Sequence, residues 1–267
     1  MSRARTVLLI GAGGGMGRAA AKLLQQTGFR VIGMDREPVD SPDLSRMLVC
    51  DVTDPDEVLR AQQAIKGERL DAIAYMAGIY DTDSLVEIDE ERFRRIFQVN
   101  VFGAYRTVKA FLPQLIPHGR VVLVTSELAL LDPLPFTGLY GITKGTLEHY
   151  AFSLAMELQL LGVTVSVIRP GAVTTPLLNR SVERIETFTS GTKLYPNQAE
   201  RFLSVTRRVE SKSVPPEAIA KKLNRILCAK RPRFLYPLNS NPLLKLYGVL
   251  PKQWKLWAIR SYLKPKQ

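Results

Sequence analysis

Short apolar runs alternate along most of the chain with longer segments in which apolar residues recur at helical spacing. Runs at 7–10, 30–34, 46–50, 72–77, 120–125 and 164–168 read as strands, each followed by turn-forming residues. Helices are predicted between them at 16–27, 55–65, 90–112 and 140–161, the first and last stopped by Gly28 and Gly162. In the last of these, Leu147, Ala151, Leu154 and Leu158 share a face that is expected to pack on the sheet. This alternation predicts repeated βαβ units, and so an α/β fold: a doubly wound parallel sheet with helices on both faces.

The 267 residues are 46% hydrophobic and 23% charged, enough to bury one sizeable core, so a single domain over 1–267 is expected. From 173 to 216 the alternation is lost, and Leu177, Leu178, Phe188, Leu194, Tyr195, Phe202 and Leu203 stand among polar residues. That segment is expected to be a lid or substrate loop; a plain insertion whose apolar residues cap the core fits equally. Arg3 and Arg5 precede an apolar run that ends at Gly11, too short for a leader, and the run is read as a first strand. No stretch reaches the roughly 18–20 apolar residues of a spanning helix.

Cys50 and Cys228 are too few and too far apart for a disulfide framework, and no Cys/His cluster has metal-ligand spacing. No metal site is therefore expected, and a reducing, cytoplasmic setting fits best. Charge changes the picture more. Twelve of the 37 Lys and Arg fall in 218–267, which has no Asp or Glu, so the net charge of +12 belongs to that end and the body before it is balanced.

The first turn, Gly11-Ala-Gly-Gly-Gly-Met-Gly17, follows a strand and opens a helix, which lets backbone amides face a pyrophosphate without side chains in the way. Its spacing is G-x-x-x-G-x-G, from Gly11, Gly15 and Gly17, and Met16 stands where the commoner G-x-G-x-x-G has its third glycine. Gly11, Gly15, Met16 and Gly17 are thus candidate cofactor-binding residues of a Rossmann-like domain. The second strand ends at Asp35, whose carboxylate can accept ribose hydroxyls and repel a 2′-phosphate, favouring NAD over NADP. Arg36 beside it pulls the other way, because a guanidinium suits a 2′-phosphate.

Tyr140 and Lys144 begin a helix in i, i+4 relation and so share a face. A cation close to a phenol favours phenolate, and about 3–4 kcal/mol would bring a tyrosine from about 10 to between 7 and 8, where it exchanges protons near neutral pH. Ser126 ends a buried strand fourteen residues earlier, at the carboxyl edge where ligands of open α/β sheets sit.

With these residues in order, the chain resembles the short-chain dehydrogenase/reductases from about Thr6 to at least Ile219: Gly11, Gly15 and Gly17 are similar to their T-G-x-x-x-G-x-G turn, and Tyr140 with Lys144 to their Y-x-x-x-K pair. The resemblance implies an NAD(P)-dependent oxidoreductase in which Ser126 and Tyr140 hold the substrate oxygen, Lys144 also binds the nicotinamide ribose and Asn100 supports a proton-relay water. It implies an adenine contact at Asp51 and Val52, and a nicotinamide carboxamide clamp in the segment holding Pro170, Gly171, Val173 and Thr175. Ala77 and Gly78 complete the cofactor set, although Tyr75-Met76-Ala77-Gly78 replaces the usual Asn-Asn-Ala-Gly and Ile10 stands where threonine is common. Those departures are expected to remove structural hydrogen bonds rather than chemistry. The usual Ser-to-Tyr spacing of thirteen would select Glu127; Thr125-Ser126-Glu127 resembles the S-S-E variant, which keeps Ser126 with Glu127 as its alternative. A homodimer or homotetramer is implied by family analogy.

Other classes fit less well. No G-x-S-x-G elbow accompanies His118 and His149, the two histidines, which disfavours a serine hydrolase, and no G-x-x-x-x-G-K-[ST] loop supports phosphoryl transfer. A cofactor-binding regulator with little turnover is the stronger rival, since fold alone does not establish activity.

The tail at 241–266 mixes Leu243, Leu244, Leu246, Tyr247, Val249, Leu250, Trp254 and Trp257 with six Lys or Arg, including Lys245 and Lys266. The mixture suits the interface of an anionic membrane, and hence a lipophilic substrate of steroid, retinoid or fatty-chain type. The same residues equally suit covering the active-site mouth or a subunit contact. Nucleic-acid binding is not expected, because no reading module accompanies the charge.

Overall fold

The computed structural model describes residues 4–129, 132, 134–210 and 213–264. Arg3 and Lys266, and the side chains of Leu177, Leu243 and Lys245, lie outside the described residues.

One seven-stranded sheet organises the chain. Strands β1 (Arg5–Ile10), β2 (Phe29–Asp35), β3 (Arg46–Val49), β4 (Leu70–Tyr75), β5 (Leu115–Val124), β6 (Thr164–Pro170) and β7 (Leu235–Leu238) lie in the order β3-β2-β1-β4-β5-β6-β7. Every pairing is parallel, as the βαβ pattern requires. The helices are α1 (Gly15–Gln26), α2 (Pro55–Ala64), α3 (Glu90–Phe97), α4 (Gly103–Phe111), α5 (Gly138–Leu158), α6 (Pro176–Gly191), α7 (Pro196–Glu210), α8 (Glu217–Cys228), α9 (Pro242–Val249) and α10 (Lys252–Leu263).

The strands read as unbroken apolar runs because both faces are covered. Leu8 and Ile10 of β1 point into a layer with Val58 of α2, Phe111 of α4 and Leu147 of α5. Val7 and Leu9 point into the opposite layer, with Leu24 of α1 and Leu223 of α8.

The helix expected at 90–112 is divided. Between α3 and α4 lies a π-helical turn at Gln98–Phe102, whose extra residue re-aims the side chains of that turn. The cause is local: the buried Tyr75 phenol donates to the Val99 carbonyl at 2.6 Å, and a Cβ on Gly103 would stand 2.5 Å from the same phenol oxygen. Tyr75, where the chain departs from Asn-Asn-Ala-Gly, thus makes a hydrogen bond of its own.

The segment at 173–216, expected as a loop, is mostly the helices α6 and α7. Ile185, Phe188, Ala199, Phe202 and Leu203 recur at helical spacing and form a small separate core with Phe136 and Tyr195. Pro196 and a hydroxyl-rich composition interrupt that period in the sequence, and Leu194 stays exposed. β7, the last strand, carries Pro237 and sits at the sheet edge, where a missing amide is tolerated.

Tyr75→Phe is expected to lower stability by about 1 kcal/mol, the net value of one buried hydrogen bond, without altering the sheet. Urea unfolding of the two proteins, with unchanged far-ultraviolet dichroism, checks it.

Candidate active site

β1 is flanked by β2 on one side and β4 on the other, so successive connections diverge at its carboxyl end and leave a crevice there. The turn that follows approaches its neighbours too closely for side chains. Gly11 has φ +86°, and a Cβ on it would lie 2.6 Å from the Ala77 amide; one on Gly17 would lie 2.1 Å from the Gly11 carbonyl oxygen. Gly15, Met16 and Gly17 form the first turn of α1, which has Gly14 as its N-cap, no side-chain cap and no acidic residue. Such an uncapped N-terminus suits an anionic group.

Asp35, at the end of β2, reaches across to this turn: its carboxylate accepts the Gly13 amide at 2.8 Å and the Arg36 amide at 2.9 Å. Arg36 is half-exposed and stands 3.8 Å from Glu37. Arg18, which the sequence reading passed over, donates to the Gly13 carbonyl at 3.0 Å. Asp51 follows β3 and accepts the Thr53 amide at 2.8 Å, while Val52 is buried in the layer with Tyr75.

Ser126, Tyr140 and Lys144 come together at the carboxyl ends of β4, β5 and β6. The Ser126 hydroxyl accepts the Leu128 amide at 3.3 Å and lines the same cavity as Tyr140, as Glu127 also does. Lys144 donates to the Val124 carbonyl at 3.2 Å and is only 5% exposed. Glu127 instead accepts the Asn241 amide at 2.8 Å, at the start of α9.

Asn100, carried by the π turn, is fully buried. Its side chain accepts from the Ile79 amide at 2.9 Å, donates to the Ile79 carbonyl at 3.0 Å and donates to Thr143 at 3.1 Å. Thr143 in turn donates to the Tyr140 carbonyl at 2.8 Å. Asn100 therefore ties the segment after β4 to the start of α5; Thr143, invisible as a motif residue, is the middle of that link.

A second link lies behind Ser126. Glu148 accepts from Thr125 at 3.1 Å and from Arg169 Nε at 3.0 Å, and forms an ion pair with the same guanidinium. It joins the ends of β5 and β6 to α5 immediately before Pro170 and Gly171. Neither residue carries a sequence signal, because isolated Glu and Arg are ordinary on helix and strand surfaces.

These groups border one cavity of about 220 Å³. Ser126, Tyr140, Lys144, Met16 and Gly78 line it together with Pro170, Gly171, Val173 and Thr175. Its other wall is apolar: Tyr80, Leu128, Leu134, Leu178, Phe202 and Leu244. Gly11, Gly15, Gly17, Asp35, Arg36, Asp51, Val52, Ala77 and Asn100 are not in that lining, although they occupy the same edge of the sheet.

The electrostatics differ from the expectation for Tyr140. Burial pushes the phenol up to about 12, with the nearby Ser126 hydroxyl acting the other way, and burial brings the Lys144 ammonium down to about 8. The ammonium is 5.8 Å from the centre of the Tyr140 ring, and desolvation, which disfavours both charged forms, outweighs their attraction. At neutral pH the phenol thus holds its proton and the lysine remains charged.

Lys144 gives a stability signature. Between about pH 8 and its ordinary value near 10.5 the unfolded chain holds the lysine proton and the fold releases it, so this group makes stability rise with pH there. Cys50, pushed by burial to about 12, acts in the opposite sense above its ordinary 9. Urea unfolding at pH 7, 8 and 9 is expected to show that Lys144→Met removes a rising component that wild type retains.

The short-chain dehydrogenase family model matches residues 5–186. A 3-ketodihydrosphingosine reductase of Bacteroides thetaiotaomicron is 27% identical over 253 residues, 93% of this chain and 92% of its own. An NADPH-dependent 1-acyldihydroxyacetone phosphate reductase of Schizosaccharomyces pombe is 29% identical over 67% of this chain and 64% of its own. A short-chain dehydrogenase from Streptomyces avermitilis superposes with a TM-score of 0.76 at 26% identity, covering 98% of this chain and 95% of its own. A glycine turn under an uncapped helix, a Y-x-x-x-K helix facing Ser126 and this match over two thirds of the chain lead to one statement: the protein belongs to the short-chain dehydrogenase/reductase family, and is an oxidoreductase of the NAD(P)-dependent kind.

Proposed function

We propose that this enzyme interconverts an alcohol and a carbonyl on a lipophilic molecule, and that near neutral pH it runs as a carbonyl reductase. The observation that carries the reading is one cavity lined by Ser126, Tyr140 and Lys144 on one side and by apolar side chains, among them Leu178 of α6, Phe202 of α7 and Leu244 of α9, on the other. Two of the relatives carry the names of reductases of long-chain lipid ketones, which supports the substrate class.

The cradle fits a dinucleotide, because the space at Gly11 and Gly17 excludes any Cβ and leaves backbone amides at the helix start. Gly11, Gly15, Met16 and Gly17 would hold the pyrophosphate, Asp35 and Arg36 would meet the adenosine ribose, and Asp51 and Val52 the adenine. Ala77, Gly78, Lys144, Pro170, Gly171, Val173 and Thr175 would hold the nicotinamide half. When bound, the nicotinamide supplies or accepts the hydride.

The protein's own part is the proton. The Ser126 and Tyr140 hydroxyls hold the substrate oxygen, and the phenol, protonated at neutral pH, donates its proton to that oxygen as the carbonyl is reduced. The nearby Lys144 ammonium stabilises the phenolate that remains, and Asn100 and Thr143 keep the helix start in place. Alcohol oxidation is the reverse and needs the phenolate, so it is favoured as pH rises. The apolar wall excludes water and selects a chain or ring in place of a sugar.

NAD is proposed over NADP, since the Asp35 carboxylate sits at the turn where a 2′-phosphate would meet it. The remaining parts of the reading are a single catalytic domain, a homodimer or homotetramer, and a cytoplasmic enzyme that meets a membrane surface through 241–267.

Tyr140→Phe is expected to lower kcat by about 10²–10⁴-fold on long-chain ketones while leaving NADH binding unchanged; retained turnover refutes the proton role. Separate fluorescence titrations are expected to show NADH binding at least about tenfold tighter than NADPH, a difference of about 1.4 kcal/mol. The reverse order makes Arg36 the residue that decides.

A further inference from the structure

The C-terminal helices are held by one face and bare on the other. On the inner side, Lys255 pairs with Asp132 at 2.8 Å and donates to the Gly248 carbonyl at 2.8 Å, and Leu263 is buried against Phe136, Phe188 and Phe202. Arg201 of α7 donates to the Tyr262 and Lys264 carbonyls. On the outer side, Trp254 is 65% exposed, Trp257 71%, Leu256 65%, Leu246 62% and Val249 78%. Six of the eighteen exposed large hydrophobics among the described residues fall within 246–262, so the patch is concentrated rather than scattered.

Charge selects the partner. The stretch 241–267 has six Lys or Arg and no acidic residue, while 1–217 is balanced. Lys255 is engaged by Asp132, but Lys252, Arg260 and Lys264 are exposed beside the tryptophans. Indole rings with cations around them match the headgroup region of an anionic bilayer. Helices of 8 and 12 residues are about 12 and 18 Å long, short of the roughly 30 Å hydrocarbon core. No helix among the described residues is long and apolar enough to cross a membrane. The geometry is that of a surface laid on the bilayer.

α9 also belongs to the site. Leu244 lines the cavity while Leu246, two residues on, is exposed. Resting on the peripheral reading above but not on turnover, we infer that the outer face of α9 and α10 docks on an anionic bilayer, placing the apolar cavity wall beside the surface from which a lipophilic substrate arrives.

Trp254 and Trp257 are the two tryptophans of the chain, so intrinsic emission reports this face alone. With the full chain and vesicles of phosphatidylcholine containing one third phosphatidylglycerol, a blue shift with co-sedimentation is expected, weaker on pure phosphatidylcholine and reduced by high salt. The combined variant L246S/V249S/L256S, which keeps both tryptophans, is expected to lose roughly tenfold or more in vesicle affinity, with NADH affinity unchanged as proof of folding. No shift and no co-sedimentation overturns the inference. So does a shift that appears without vesicles and follows dimer formation with protein concentration, which assigns the face to a second copy. Vesicle binding and turnover are read separately: loss of the first with the second intact removes docking and leaves the proposed chemistry standing, and the converse removes the chemistry.

Discussion

At the carboxyl end of β1 the first turn passes so close to the turn after β4 that a single Cβ on Gly11 would intrude on the Ala77 backbone. Much of the site follows from that approach. It brings residues 76–80 against the start of α1, and Asn100 then ties Ile79 to Thr143 and the first turn of α5. The phenol and ammonium on that turn are thereby set opposite Ser126. Glycine here loses backbone entropy that alanine would not, and the close contact of two turns is what the loss secures.

The chemistry placed there works against the ordinary preference of both groups for water. Tyr140 and Lys144 are almost wholly covered, which keeps the phenol protonated and lowers the lysine. Their surroundings are divided by origin. The polar side comes from the ends of β5 and β6 and from α5; the apolar side comes partly from the segments after β4 and β5, with Tyr80, Leu128 and Leu134, and partly from α6, α7 and α9. Part of the apolar wall thus lies outside the sheet framework, consistent with a shared framework serving different substrates.

Six of the seven strands were legible in the sequence because burial on both faces makes a parallel strand an unbroken apolar run; β7, only partly buried at the sheet edge, was not, and neither was α8. The motif residues were legible too, since glycine spacing and an i, i+4 pair are local patterns. The π turn was not, because its cause is a contact between Tyr75 and Val99, and no period records it. The helices α6 and α7 were missed for a different reason: their apolar face meets a satellite core rather than the sheet, and Pro196 resets the phase midway. Thr143, Glu148 and Arg169 escaped because their roles are long-range hydrogen bonds. The raised Tyr140 phenol escaped because an estimate from spacing includes the nearby cation and omits desolvation.

Glu127, next to Ser126 in the chain and in the cavity lining, accepts the amide of Asn241. One peptide bond therefore separates a cavity-lining hydroxyl from a tether to the two terminal helices. A truncation before Asn241 would remove more than chain length: it would take away the amide that the Glu127 carboxylate accepts, in the residue next to Ser126 in the cavity lining.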